Sequence, residues 1–455
     1  VNKTYWRSLN DLHDKPEFLE ILHREFPQAA AEYPDGISRR RWLQLMGASL
    51  ALGGLSGCRW EREVIAPELS RNPNRIPGVP VLYATGREHA GFGEALLVRS
   101  YDGRPTKIEG NVEHPASKGT TTQFAQASIL ELYDPDRLDA VKHRAEGKEE
   151  SKSWADFESS VRPLLERSGD GGGVAVLSEA SSSPSLLDMK KRFLAKFPAA
   201  KWYEYESVSR DHEVLGSQEA FGQPARTHLK LADAQVIVTL DSDLFRNHPD
   251  ALALTRDWAA RRDPDNDKGM ARLYAFESQF SITGANADHR LPVRSSEIAG
   301  VLARLEALVE EGITSAEAVL AKLSKEESAG EKAILAAAHD LVTHQGSSVV
   351  AIGPSQSPAL HARVHRLNAR LQNVGKTVVY TEEPNAGRPS HVDSLKALVE
   401  AMKGKLVGTL FILGGNPAYA APADIDFAGA LASVDHAVRL GSYDDETAVL
   451  CEWAL

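Results

Sequence analysis

The sequence predicts an α/β chain in which a small β-rich domain precedes two doubly wound parallel-sheet domains. Two patterns predict it. Short aliphatic runs recur that are too continuously apolar to be half-exposed strands, as in Val236-Ile237-Val238-Thr239-Leu240. Helical runs opened by Ser or Pro alternate with them. The bulk composition agrees: 455 residues, 42% apolar and 25% charged, is globular, and at roughly 150 residues per domain it allows about three cores.

Four segments follow in order: a leader over residues 1–66, a small β-rich domain over 67–152, an α/β domain over 153–296, and a helical connector with a second α/β domain over 297–455. Within 67–152, strands are expected over 79–85, 95–101 and 105–109. Asp102-Gly103 supplies the positive-φ hairpin turn between the last two. The first α/β segment carries strands at 173–177, near 201–205, at 236–241 and at 272–277, with a helix over 185–197. The connector, 297–343, is helical and broken around Gly312 to Ser315, with Ser315 as a cap. The second α/β segment has strands at 348–353, 377–381, 409–413 and near 437–441, and helices over 359–372 and 394–402. An apolar run, Ala448 to Leu455, closes the sequence without a polar tail, which reads as a chain truncated inside a larger architecture.

Charge and cysteine usage exclude more than they assign. The formal charge is -11, and no segment concentrates Lys and Arg among aromatics as a nucleic-acid groove does, so nucleic acid is not an expected partner. Only two cysteines are present, Cys58 and Cys451. A four-thiolate cluster or zinc site therefore cannot be built from this chain alone.

The leader reads as an address. Ser38-Arg39-Arg40-Arg41-Trp42-Leu43 precedes a mild apolar run, Leu43 to Leu55, too short and Gly-rich to span a bilayer. Paired arginines at Arg39 and Arg40 before such a run form the twin-arginine pattern, which exports folded proteins to the periplasmic side of the bacterial inner membrane. Leu55-Ser56-Gly57-Cys58 resembles a lipobox, with Cys58 the lipid-bearing residue; the competing reading is a surface charge cluster and a small core cysteine. One acyl chain anchors only marginally, so stable attachment needs further chains or a membrane partner. Residues 1–37 carry an apolar series, Trp6 to Phe26, that suits an amphipathic helix docking on a chaperone or partner.

Candidate chemistry sits at strand ends. Gly353-Pro354-Ser355-Gln356 and Gly414-Gly415-Asn416-Pro417 follow strands, and ligands of parallel sheets bind beyond the carboxyl ends of strands. Neither loop matches a Walker or dinucleotide fingerprint, and ordinary tight turns explain them equally. Asp241 and Asp243 stand at another strand end, where they either read a nucleoside hydroxyl or cap the next segment. His361 and His365 share a helix face, a spacing that admits a metal but more often marks a solvated face. No Gly-x-Ser-x-Gly elbow is present, and no catalytic set is assigned.

The run Asp102-Gly103-Arg104-Pro105-Thr106-Lys107-Ile108-Glu109-Gly110-Asn111, then His114-Pro115-Ala116-Ser117-Lys118-Gly119, Leu132-Tyr133-Asp134-Pro135 and Ser153-Trp154-Ala155-Asp156-Phe157, resembles the start of molybdopterin oxidoreductase large subunits. Asn373-Val374-Gly375 and Gly414 to Pro417 continue the likeness. The opening Tyr5-Trp6-Arg7-Ser8-Leu9 with its delayed arginines is similar to the iron–sulfur, molybdopterin-like subunit of alternative complex III. Active members of the wider family carry a cysteine set for a four-iron cluster and a residue that ligates molybdenum. Between Cys58 and Cys451 this sequence has no cysteine.

The resemblance therefore implies the molybdopterin-like half of a membrane-associated respiratory, quinol-oxidising complex. In that reading this half is scaffold and lacks molybdenum and iron–sulfur centres. Its partners are membrane-anchored and haem-containing or iron–sulfur subunits, with the twin-arginine translocase during export. Clusters are expected only on a further C-terminal region or a partner. The alternative is a catalytic molybdenum or tungsten subunit whose bis-pterin cofactor is bound by Asp241, Asp243, Gly353, Ser355, Gly414, Gly415 and Asn416. A third class is an interaction module built on a vestigial nucleotide cleft.

Overall fold

A computed structural model describes residues 44, 76, 78–89, 91–265, 269–312, 314 and 328–455. Val1–Asn74 and Arg75–Leu455 are separate units, and the sheets and helices that follow belong to the second. Arg39, Arg40, Cys58, the apolar series of the leader and Ser315 lie outside the described residues.

Three antiparallel strands come first: β1 (Val81–His89), β2 (Phe92–Tyr101) and β3 (Arg104–Gly110). Asp102 and Gly103, at φ 50° and 87°, turn β2 into β3 as the Asp-Gly pair predicts. β4 (Val141–Ala145) and β5 (Lys148–Lys152) form a second hairpin. Ser153 then opens the helix Trp154–Arg167 through a capping box: its hydroxyl accepts the Asp156 N–H, and the Asp156 carboxylate accepts the Ser153 N–H. That pairing is the local reason for the Ser-Trp-Ala-Asp run.

The remaining strands are β6 (Val174–Ser178), β7 (Lys201–Glu204), β8 (Ala225–Leu229), β9 (Val236–Leu240), β10 (Arg272–Glu277), β11 (His289–Pro292), β12 (Ser348–Ile352), β13 (Val378–Glu382), β14 (Thr409–Leu413), β15 (His436–Leu440) and β16 (Trp453–Ala454). They build a seven-stranded sheet in the order β5-β4-β16-β15-β14-β6-β7, a four-stranded parallel sheet β11-β10-β9-β12, and the antiparallel pair β13-β8. From β16 to β7 the larger sheet is parallel; β4 and β5 add an antiparallel edge.

Both large sheets are covered on both faces, which explains their continuous apolar strands. On the four-stranded sheet, Leu302, Leu305 and Leu308 of the helix Ile298–Glu311 pack with Leu335 and Leu341 of the helix Ala329–Thr343 on one face. Leu254 and Trp258 pack on the other. On the seven-stranded sheet, Leu395, Leu398 and Met402 of the helix His391–Lys403 cover one face, and Phe157 and Val161 approach the other. The connector breaks at Gly312, whose φ of 68° ends its helix in the left-handed conformation; the helix Ala329–Thr343, the next among the described residues, is capped by Ser328.

Sequential order is not spatial order here. β6 pairs with β14 in the register Val174↔Thr409, and β12 pairs with β9 in the register Ser348↔Val236. The four-stranded sheet and the β8–β13 pair are thus inserted between β7 and β14. The boundary drawn at 296/297 cuts the four-stranded sheet, and β4–β5, expected in the small β domain, edge the seven-stranded one. Buried parallel strands look alike in sequence, so their partners are set by packing over long separations. Of the apolar run Ala448 to Leu455, Trp453 and Ala454 are buried as β16 between β15 and β4, whereas Val449 and Leu450 are exposed. Among the described residues no helix is long and apolar enough to cross a membrane.

Candidate functional site at the two switch points

Each large sheet has one place where chain connections diverge, opening a crevice beyond the strand ends. In the four-stranded sheet it lies between β9 and β12, and in the seven-stranded sheet between β6 and β14. Asp241 and Gly353 stand at the first, Glu179 and Gly414 at the second.

Asp241 turns back on the protein. Its backbone adopts φ 54°, and its carboxylate is saturated: Oδ1 accepts from the Ser278 N–H and hydroxyl at 3.0 and 2.7 Å, Oδ2 from the Ser295 hydroxyl and Gln356 Nε2 at 2.8 and 3.0 Å. Burial by itself raises this carboxyl; those donors outweigh it and hold the group below the ordinary aspartate value. Gly353 packs so closely that a Cβ there would lie 1.8 Å from the Asp241 carbonyl oxygen. Asp243 serves the next turn, its Oδ1 accepting from the Thr283 N–H and hydroxyl at 3.2 and 2.8 Å. Ser355 is exposed on the loop.

At the second crevice the glycine bend is filled by a residue that the sequence reading does not single out. Glu179 lies in the bend of Gly414 and Gly415, at φ 72° and 67°, and a Cβ on Gly414 would sit 2.2 Å from its Oε2. The Gly415 N–H donates to it, and the buried Arg439 guanidinium adds attraction while itself bonding Asp445 at 2.9 Å. Burial nevertheless pushes the Glu179 carboxyl up. Asn416 is held away from the crevice floor, its Nδ2 donating to Glu446 at 2.6 Å and its Oδ1 accepting from Thr447 at 2.7 Å. The predicted site residues therefore form two clusters, Asp241 with Gly353 and Gly414 to Asn416. The signal for Glu179 was available, because Leu177-Ser178-Glu179 repeats the apolar-strand-then-carboxylate pattern of Leu240-Asp241.

A cavity of about 370 Å³ adjoins Glu179, walled also by Glu88 and Glu206. Glu206 is pushed up to about 7, by burial first and by the Glu179 carboxylate second. A carboxyl raised in the folded state keeps a proton that the unfolded chain releases. Its contribution to stability is thus full below about 4.5 and is lost as pH rises through 7. Glu206→Gln should remove that loss, gaining about 2 kcal/mol at pH 8 after allowance for screening of this half-buried side chain and nothing at pH 4.5, measured by urea unfolding.

His361 and His365 depart from the solvated face expected of them. Both are buried against the helix Asp211–Phe221, where a Cβ on Gly216 would meet the His361 Cβ at 2.3 Å. Among the described residues no group of three or more His, Cys, Asp or Glu side chains is placed to hold a metal ion.

No protein-family model matches the chain. A search of solved structures finds acetylene hydratase from Pelobacter acetylenicus at a TM-score of 0.56 and 13% identity, covering 82% of this chain and 60% of that one. The fold is similar to that of acetylene hydratase. In sequence, the chain is 22% identical over 415 residues to the menaquinone reductase, molybdopterin-binding-like subunit of Nitratidesulfovibrio vulgaris (strain Hildenborough), with 84% of this chain and 59% of that protein covered. It is 23% identical over 234 residues to the major subunit of nitrate-inducible formate dehydrogenase of Escherichia coli K12, with 47% of this chain and 22% of that protein covered. The chain thus spans less than two thirds of the length of both relatives.

The alternative drawn from the sequence resemblance is a bis-pterin cofactor bound by the strand-end loops at these crevices. The glycine bends that would cradle a pyrophosphate hold Glu179 and the Asp241 backbone instead. Glu88, Glu179 and Glu206 would meet its negative charge with carboxylates. The described cysteine, Cys451, is buried with its thiol pushed up to about 12, chiefly by burial, and donates to the Thr447 carbonyl. It offers no thiolate.

Proposed function

We propose that this chain is the molybdopterin-oxidoreductase-like subunit of a membrane-associated respiratory complex linked to quinone, of the alternative complex III type, and that this part is scaffold rather than catalyst. The observation that carries the reading is the occupation of both strand-end glycine loops by the chain's own Asp241 and Glu179. The resemblance to a subunit named for menaquinone reduction supports the quinone link and the membership of a multi-subunit assembly. Electrons would pass through haems and iron–sulfur clusters on partner subunits or on other parts of the polypeptide. Quinol oxidation follows from the likeness to alternative complex III, whereas the relative is named for the opposite direction, so the direction is read from the complex itself. Arg39 and Arg40 would direct folded export to the periplasmic side of the inner membrane, and Cys58 would carry lipid.

The test is purification from the native membrane under anaerobic conditions, followed by subunit identification, metal analysis and quinone-linked electron transfer assays in both directions. The expected result is co-purification with haem or iron–sulfur subunits, and molybdenum and tungsten far below one atom per chain. Near-stoichiometric molybdenum or tungsten would overturn the scaffold reading and restore a bis-pterin enzyme. A peptide from the membrane-bound protein that carries Cys58 with an unmodified thiol would sink the lipid anchor.

A further inference from the structure

His228 stands on the β8–β13 pair rather than at either crevice, and each of its ring nitrogens meets a different side chain. Nδ1 is 3.1 Å from Asp250 Oδ2, and Nε2 is 3.0 Å from Thr381 Oγ1. Strand geometry assembles the set. Arg226 and His228, two residues apart on β8, share a face, and the β8–β13 register places Thr381 directly opposite Arg226. Asp250 reaches them from the residue before the helix Ala251–Arg261.

The proton positions follow from these bonds. Burial raises the Asp250 carboxyl, but the hydrogen bond from His228 leads the interactions that hold it below the ordinary aspartate value. At neutral pH Asp250 is therefore a carboxylate and can only accept, so His228 donates from Nδ1. Neutral His228 then keeps a lone pair on Nε2, and the Thr381 hydroxyl donates to it. Thr381 is exposed, and the His228 and Asp250 side chains are 37% and 30% exposed, so a dissolved substrate can reach the hydroxyl.

A hydroxyl bonded to a base that a carboxylate orients is the arrangement of nucleophilic acyl transfer. Arg226 adds a cation beside it. Its Nε and Nη2 bond Glu383 at 3.3 and 3.0 Å, and among the described residues Nη1 has no partner, which leaves that N–H for a developing oxyanion. Arg226 and Asp250 also wall a cavity of about 190 Å³ with Phe92, Pro249 and Leu252, and Glu94, whose buried Oε2 has no partner, stands in the same wall. Apolar walls with carboxylates at Glu94 and Asp250 suit a short uncharged acyl group and repel one that carries its own carboxylate.

We infer that Thr381, His228 and Asp250 form a nucleophile, base and orienting carboxylate that hydrolyse small uncharged esters. Thr381 Oγ1 bonds to the ester carbonyl carbon as its proton passes to His228 Nε2. The ester C–O bond then breaks, and that proton goes to the leaving oxygen, which departs as the alcohol. Water adds to the acyl-Thr381 ester, gives a proton to His228 Nε2, and releases the carboxylic acid as Thr381 Oγ1 takes the proton back. No electron is transferred, so this activity lies outside the respiratory reaction for which this part of the chain is read as scaffold.

Hydrolysis of para-nitrophenyl acetate by the full chain, with mapping of acetylated peptides, tests the inference. Sustained nitrophenol release above the buffer rate is expected, with acetyl on Thr381 at early times. Thr381→Ala should bring the rate to background, His228→Ala should lower it about 100-fold or more, and Thr381→Ser, which keeps a hydroxyl, should stay within about tenfold of wild type. Asp250 positions the imidazole without touching substrate, so Asp250→Asn should lower kcat about 100-fold with KM unchanged. Release no faster than buffer, or a rate that survives Thr381→Ala, would overturn the triad and reduce it to a hydrogen-bonded tie between the strand pair and the helix. If Thr381→Ala fails to fold, the wild-type map decides: acetyl on lysines but never on Thr381 overturns the inference. The metal and subunit analysis of the scaffold reading is untouched by any of these results.

Discussion

Gly353→Ala is expected to destabilise the protein by about 4 kcal/mol or more, the largest effect of any single methyl addition in the crevices. The added Cβ would lie 1.8 Å from the Asp241 carbonyl oxygen and 2.7 Å from its carbonyl carbon. Backbone meets backbone there, so no side-chain rotation relieves the contact, and β9 and β12 must separate where their ladder ends. Gly414→Ala meets a side chain instead, the Glu179 carboxylate at 2.2 Å, but it also forces alanine into φ 72°. It should cost about 2 kcal/mol, part of it recovered in the double variant with Glu179→Ala. Urea unfolding of the single and double variants checks both, and equal losses at the two glycines would contradict the distinction between rigid and movable neighbours.

Asp241→Ala should cost about 3 kcal/mol at pH 7, because it takes the acceptor from four donors on Ser278, Ser295 and Gln356 at once, of which Gln356 Nε2 alone keeps a second partner in Ser295. The alanine must also occupy φ 54°, which aspartate tolerates better. Asp241→Asn keeps the shape and one acceptor oxygen, and it should lose less. The sign with pH is opposite to that of Glu206. A carboxyl held below its ordinary value contributes stability above that value and loses it as pH falls through the lowered one. Acid unfolding of wild type and Asp241→Asn should therefore converge toward low pH. A constant difference across the acid range would show that the carboxylate charge is not what the donors hold.

Much of the fold was legible because its signals are local. Arg272–Glu277 and Thr409–Leu413 fall where their apolar runs place them, and the hairpin turns at Asp102-Gly103 as its φ requirement demands. β8, β11 and β16 carry no such signal. His289–Pro292 and Ala225–Leu229 are short and half polar, and Trp453–Ala454 becomes a strand only because β15 and β4 flank it.

The site divides along the same line. That loops follow strands at Asp241, Gly353 and Gly414 is a property of sequence, since a buried strand must end in polar or glycine-rich chain. What each loop faces is not. Glu179 reaches the Gly414 bend only because β6 pairs with β14 across more than two hundred residues, and His361 turns inward only because Gly216 lets two helices touch. The sequence by itself determined the longer apolar strands and capped helices, the α/β class and the lack of thiolates between Cys58 and Cys451. Tertiary structure alone decided which strands are neighbours, and so which side chains occupy the strand-end loops. Secondary structure answers to periodicity and caps within a few residues, whereas strand pairing and burial are decided by the packing of the whole chain.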